Sequence, residues 1–303
     1  MALFSHHCRR LLRVRARAHA HLGRRLLSVR ARAHGLAASR SLSADPAPAD
    51  DGEALREDLA LAYRAAARLG LNEGVCNHFT AARPPDHRAS FLVVAHGTPW
   101  ETCAADDLLE VGSDGAVLRG DRARLETTAF HIHRALHVAL GARAAAVLHT
   151  HMPHATALCA LAGHRLLPVH QNSCRFLERV AYDDDFGGTA QDAAEGARLC
   201  APLAADARAR VLMLRNHGVV VVGRSVAEAF DDLYYLERAA RVQCMALQAA
   251  GGDASKLALI DDATARATRD QIEADLELYA HRHWGALQRL ERERGRGLPS
   301  AAV

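Results

Sequence analysis

Two short apolar runs joined by a tight connection place the strongest constraint on how this chain can fold. Residues 211–214 and 219–222 contain only Val, Leu and Met, and the four residues Arg215-Asn216-His217-Gly218 separate them. Runs of this kind predict the two strands of a buried hairpin. Gly218 is expected to supply the positive φ that such a turn requires, and His217 then lies at the mouth of two rigid strands.

A second apolar run ends in two further histidines. Residues 145–148 are Ala-Ala-Val-Leu, and His149-Thr150-His151 follows at once. Alternate side chains of a strand share a face, so the two imidazoles lie on the same side with Cα atoms about 6.5–7 Å apart. Together with His217 they can form a three-histidine site with an open fourth position, the arrangement of catalytic zinc. The alternatives are a half-exposed pair at a strand end and a turn histidine that bonds its own backbone.

Composition excludes several classes of protein. Half of the 303 residues are hydrophobic, enough for one large or two ordinary buried cores. The chain contains no run of 18 apolar residues, so no transmembrane segment is expected. Residues 1–44 carry ten Arg and no acid, which leaves 28 basic against 35 acidic residues elsewhere. The body is therefore mildly acidic, and no nucleic-acid partner is expected.

The first 44 residues have the character of a presequence. The segment 9–19 recurs almost intact at 24–34, and its Arg-, Ala- and Leu-rich, acid-free composition is typical of an organellar transit peptide. A basic binding arm and a disordered or mis-started tail are the alternatives. Residues 45–51 look like a linker. Seven scattered cysteines without a C-x-x-C pair favour free thiols, so we expect a cytoplasmic or mitochondrial protein that is not secreted.

The body is predicted to be an α/β domain over residues 52–250. Helical periodicity covers 55–69, 127–140, 193–205 and 225–248, whereas 77–80, 91–94, 108–111 and 116–118 read as strands. Closely paired strands between helices favour an α/β/α or α+β layer with a largely antiparallel sheet. A single charged helix is expected from about 262 to 292. It belongs to a C-terminal extension, 251–303, that would pack on the domain or on a neighbouring subunit.

Three short motifs together resemble one known family. They are Asn77-His78-Phe79-Thr80 after Gly74, His149-Thr150-His151, and Asn216-His217-Gly218 before an apolar strand. They resemble the class II aldolases of the fuculose-phosphate aldolase and ribulose-phosphate 4-epimerase type, with adducin-like relatives, and lie closer to the adducin-like branch. The resemblance implies a three-layer α/β/α sandwich with a mixed, largely antiparallel sheet, commonly assembled as a homotetramer.

The resemblance also implies a chemistry. His149, His151 and His217 would hold Zn²⁺, or another divalent metal, which would chelate a ketose or ketose phosphate and stabilise an enediolate. Retro-aldol cleavage of a small sugar, sugar phosphate or related carbonyl compound is the favoured reaction, with epimerisation and decarboxylation as alternatives. By position, the substrate-binding residues would be Asn77, Gly97, Thr127 and Thr128, with phosphate at the start of the helix that follows.

One position departs from the enzyme pattern. Family enzymes carry an acid four residues before the helix histidine matched to His133, and here that residue is Ala129. Glu126 is the nearest acid and our candidate for the catalytic proton shuttle; a helix N-terminal acid is its alternative role. A non-enzymatic, adducin-like oligomeric module that binds actin or another cytoskeletal partner is the competing function. Three retained metal ligands, and the lack of a Lys-rich tail, favour the enzyme.

Overall fold

The computed structural model describes residues 52–163, 165–188 and 192–295. The predicted presequence (1–44) and linker (45–51) lie outside the described residues. The helices are α1 (Glu53–Arg68), α2 (Thr127–Leu140), α3 (Pro153–Cys159), α4 (Ala193–Ala205), α5 (Val226–Ala249), α6 (Asp262–Ala274) and α7 (Leu276–Gly295). The strands are β1 (His78–Ala82), β2 (Ser90–Val94), β3 (Leu108–Gly112), β4 (Val117–Arg119), β5 (Ala146–Thr150), β6 (Val180–Asp183), β7 (Val211–Leu214) and β8 (Gly218–Gly223).

The strands form one sheet in the order β4-β3-β2-β1-β5-β8-β7-β6. Every neighbouring pair is antiparallel except β6 and β7, which are parallel. The predicted mixed, largely antiparallel sheet is therefore confirmed. Strand β6 was not predicted; it is a short edge strand whose first three residues are only half-buried, so it lacks the apolar run that marks a strand in the sequence.

Helices cover both faces of the sheet, because alternate residues of each strand point to opposite sides. One face packs on α1, α3 and α5, with Tyr63, Phe79, Leu148 and Phe230 in its core. The other face packs on α2 and α4, where Ile132, Val147, Leu199 and Val222 are buried. The fold is thus the predicted three-layer α/β/α sandwich. No helix in the described ranges is both long and apolar enough to cross a membrane.

The C-terminal extension corrects the expectation of one continuous helix. The chain forms two helices, α6 and α7, which are separated at Asp275. Helix α7 packs against the body of the same chain: Trp284 Nε1 donates to Asp58 Oδ1 at 2.9 Å, and Arg64 pairs with Glu291 at 2.8 Å.

A column of buried polar groups lies between β1 and α2. His137 Nδ1 is 2.6 Å from the carbonyl oxygen of Ala144, and Thr80 Oγ1 is 2.7 Å from both His137 Nε2 and His133 Nδ1. A carbonyl can only accept, so His137 carries its proton on Nδ1 and accepts at Nε2 from the Thr80 hydroxyl. That hydroxyl then accepts from His133 Nδ1, and both imidazoles are neutral. Burial lowers the pKa of His137 to about 4.

This column makes stability depend on pH. The unfolded chain takes up a proton on His137 near pH 6.5, whereas the native chain takes it up only near pH 4. The contribution of neutral His137 to the free energy of unfolding is therefore complete above pH 6.5 and is lost as the pH falls towards 4. His137→Leu should reduce the fall in unfolding free energy between pH 7 and pH 5 by roughly 2 kcal/mol. Urea unfolding in the presence of a chelator measures it. The exposed His281→Gln should keep the wild-type pH dependence; an equal pH dependence in His137→Leu would contradict the assignment.

Candidate metal centre

The three histidines predicted from the sequence come together at one end of the sheet. Strand β5 pairs with β8, with Thr150 opposite Val219, so the end of β5 lies beside the β7–β8 turn that carries His217. The ring centroids of His149, His151 and His217 are 4.8–5.0 Å apart. One nitrogen from each ring lies within 4.8 Å of the other two. The cluster has the donor set of a three-histidine metal site.

The turn that carries His217 differs from the expectation in one respect. The positive φ belongs to Asn216, at 55°, and not to Gly218. Gly218 is required for a different reason: a Cβ there would lie 2.6 Å from the carbonyl oxygen of Thr150 and 2.8 Å from His151 Cδ2. The absence of a side chain at Gly218 therefore allows β5 and its histidines to approach the turn.

Hydrogen bonds orient two of the rings. His149 Nδ1 is 3.0 Å from the carbonyl oxygen of Val219, and His151 Nδ1 is 2.6 Å from Glu73 Oε2. Both partners are acceptors, so each ring carries its proton on Nδ1 and leaves the Nε2 lone pair for another atom. His151 Nε2 is buried and has no hydrogen-bond partner among the described residues.

Burial favours the neutral form of two of the rings, His149 and His217, and a histidine metal ligand must be neutral. Burial, reinforced by the neighbouring His151, lowers the pKa of His217 to about 4. Burial also lowers the pKa of His149 well below its usual value. Three convergent imidazoles, one with a buried Nε2 that has no partner among the described residues, fit a divalent ion that accepts nitrogen ligands.

A cavity of about 540 Å³ opens over the histidines. Its walls combine carboxylates, imidazoles and apolar side chains, namely Glu73, Glu126, His78, His96, His149, His151, His217, Val75, Cys76, Ile132 and Phe186, together with Thr128, Gly188 and Asn216. A larger cavity of about 730 Å³ lies between α5 and the C-terminal helices, but none of the three histidines lines it. The three histidines therefore line only the smaller of these two cavities.

Glu126 reaches the cavity as the N-cap of α2. Its Oε2 accepts from the backbone N–H of Ala129 and from Thr128 Oγ1, each at 2.6 Å, and lies 3.4 Å from His78 Nε2. Burial on its own would raise the pKa of Glu126, but the hydrogen bonds from Thr128 and Ala129 outweigh it, and the pKa is lowered. The group is a carboxylate at neutral pH, and it enters the cavity from three residues before Ala129.

The remaining predicted substrate residues fall in different places. Thr128 lines the cavity, whereas Thr127 is exposed on the first turn of α2. Asn77 is buried and does not line the cavity; its Oδ1 accepts from the backbone N–H of Glu73 at 2.7 Å. Gly97, with φ of 83°, also does not line it, although the adjacent His96 does. Asn77 thus holds the turn that presents Glu73.

Sequence reasoning assigned no role to Glu73, His78 or His96. His78 is paired with His149 in the register of β1 and β5, so both rings lie on the same face of the sheet. Burial lowers the pKa of His78 to about 4, against the opposing charge of Glu126. The sequence signals were that His78 belongs to the Asn77 motif and that Glu73 lies just before it. Their contacts with His149 and His151 depend on strand pairing over some 70 residues.

Comparison with known proteins agrees with this geometry. Residues 57–244 match the family model described as the class II aldolase and adducin N-terminal domain. A putative aldolase class 2 protein of Caulobacter vibrioides is 34% identical over 78% of this chain and 89% of its own length.

Two solved structures show the same fold. An aldolase II superfamily protein from Pseudomonas syringae is 33% identical, with a TM-score of 0.72 over 82% of this chain and 96% of the other. An L-fuculose 1-phosphate aldolase from Glaciozyma antarctica is 26% identical, with a TM-score of 0.68 over 82% and 95% of the two chains. The chain therefore belongs to the class II aldolase and adducin family.

Proposed function

We propose that this protein is a zinc-dependent lyase that cleaves a carbon–carbon bond next to a carbonyl group by a retro-aldol reaction. The observation that carries the proposal is the convergence of three imidazoles and one ionised carboxylate on the same cavity. His149, His151 and His217 would hold the ion. When bound, a divalent metal supplies electrostatic stabilisation of negative charge that develops on substrate oxygens.

The residues of the chain would handle the proton. Glu126 is ionised and can accept the proton of the hydroxyl on the carbon that leaves as the new carbonyl compound. The C–C bond then breaks, and its electron pair remains with the fragment that holds the original carbonyl. The proton must finally reach the carbon of that fragment, and Glu126, now protonated, is placed to return it. His78, 3.4 Å from Glu126, can position the carboxylate.

A second candidate is an adducin-like module without turnover. The family description itself joins aldolases with adducin N-terminal domains, and Ala129 stands where the enzyme pattern has an acid. Such a module would bind a cytoskeletal or other protein partner, and it gives no physical reason to keep three convergent metal ligands. The homotetramer and the cytoplasmic or mitochondrial compartment remain predictions from the sequence.

Metal content tests the proposal directly. The purified full chain should contain about one zinc ion, or another divalent ion, per molecule, because three imidazoles complete one site. The double variant His149→Ala/His151→Ala should lose it, since one remaining histidine cannot hold the ion. Elemental analysis by mass spectrometry measures both. His281→Ala, which changes an exposed histidine, serves as the control and should keep the metal. Near-zero metal in the wild-type protein would contradict the proposed metal site.

Glu73 should strengthen metal binding without touching the ion. Its carboxylate fixes the His151 ring by the 2.6 Å hydrogen bond to Nδ1. Such partners are worth 10- to 100-fold in affinity, and because the Glu73 side chain is 67% exposed, solvent screening favours the lower end. Glu73→Ala should weaken zinc affinity about tenfold, measured by competition with a chelator. Glu57→Ala, an exposed acid of α1, should change nothing; the same affinity in both variants would exclude this role.

Glu126 is tested by separating turnover from metal binding. Glu126→Gln keeps an acceptor for the α2 amides but removes the base, so kcat should fall by about 10²–10⁴ while metal content is unchanged. The substrate would come from a screen of ketoses and related carbonyl compounds with and without phosphate. Asp121→Asn, which alters a capping carboxylate outside the cavity, is the matched control. Full activity in Glu126→Gln would remove it from the mechanism.

A further inference from the structure

The start of α2 is the place where a phosphate group would be expected, and the chain fills it with its own carboxylate. A helix N-terminus offers amide donors and the positive end of the helix dipole to an anion. Here Glu126 Oε2 takes both the N–H of Ala129 and the hydroxyl of Thr128, each at 2.6 Å. Because this anion is covalently attached, a phosphate would have to compete with it for these donors.

The charges around the cavity are also unsuited to a phosphate. Glu73 and Glu126 are the acids of its wall, and among the described lining residues none is Arg or Lys. The two carboxylates would offset the double charge of a bound zinc ion.

Two arginines that lie beside lining residues are engaged elsewhere. Arg124 donates to the carbonyl oxygen of His96 at 3.1 Å and to Thr98 Oγ1 at 2.8 Å, which ties it to the 95–98 loop. Arg198 donates to Asp183 and Glu195 at 2.7–2.9 Å. Either guanidinium would have to break these hydrogen bonds before it could bind an anion in the cavity.

We infer that the substrate of this cavity is an unphosphorylated hydroxy-carbonyl compound. The inference rests on the proposed function and adds its substrate class. The chelating carbonyl end lies at the three histidines, and a hydroxyl donates to Glu126 in the place that a phosphate would otherwise take. Val75, Ile132 and Phe186 line the same cavity and favour an uncharged, partly apolar body over a polyanion.

The test compares two chelators that differ only by a phosphate group. Glycolohydroxamate and phosphoglycolohydroxamate are titrated calorimetrically into the zinc-loaded full chain. The wild-type protein should bind phosphoglycolohydroxamate at least about tenfold more weakly than glycolohydroxamate. The reason is that the phosphate dianion of the first probe meets two carboxylates in a partly desolvated site. Glu126→Gln should reduce the ratio of the two dissociation constants several-fold. Asp261→Asn, which alters the capping carboxylate of α6 on the exposed surface, should retain the wild-type ratio.

The outcomes separate the two proposals. Equal or tighter binding of the phosphorylated probe by wild type overturns the substrate class and leaves the zinc site intact. If Glu126→Gln leaves the ratio of the two dissociation constants unchanged, the substrate class is also overturned. The Glu126 carboxylate would then not be the cause of the weaker binding of the phosphorylated probe. Failure of the chain to hold zinc contradicts the proposed function, and the substrate class with it.

Discussion

The antiparallel pairing of β5 with both of its neighbours is the constraint on which the site depends. On one side β8 places Val219 opposite Thr150, which brings the β7–β8 turn and His217 to the end of β5. On the other side β1 places His78 opposite His149. A shift of one residue in either register would turn His149 to the opposite face of the sheet. Gly218 makes this pairing sterically possible, because any side chain there would meet Thr150 and His151.

Burial of so many imidazoles would be costly if they were charged or unpaired. The fold avoids the cost by giving most of them a partner that fixes one tautomer. Backbone carbonyls of Ala144 and Val219 accept from His137 and His149, and Glu73 accepts from His151. On His149 and His151 the Nε2 lone pairs then remain available at the metal centre. The same desolvation that would destabilise a charged histidine keeps the site ready to bind a cation at neutral pH.

Glu126 connects the local structure of α2 to the chemistry of the cavity. As the N-cap it satisfies donors that the first turn of a helix cannot satisfy alone. The same hydrogen bonds keep it ionised beside His78, which suits a proton acceptor. One carboxylate thus caps the helix, and in the proposed function it also accepts the proton and limits the charge of the substrate.

The sequence by itself determined most of the elements and predicted the three histidines that the fold brings together. Apolar runs and helical periodicity identified the hairpin, most strands and the helices around them, and three local motifs identified the family and its histidines. The expected positive φ at Gly218 and the single C-terminal helix were wrong, because turn strain and a one-residue break leave weak local signals. Only the tertiary structure decided that Glu73 orients His151 and that Glu126 enters the cavity from three residues before Ala129. It also decided that Asn77 holds the turn that presents Glu73. These contacts join residues far apart in the chain, and strand register and helix packing, which no local pattern encodes, set their distances.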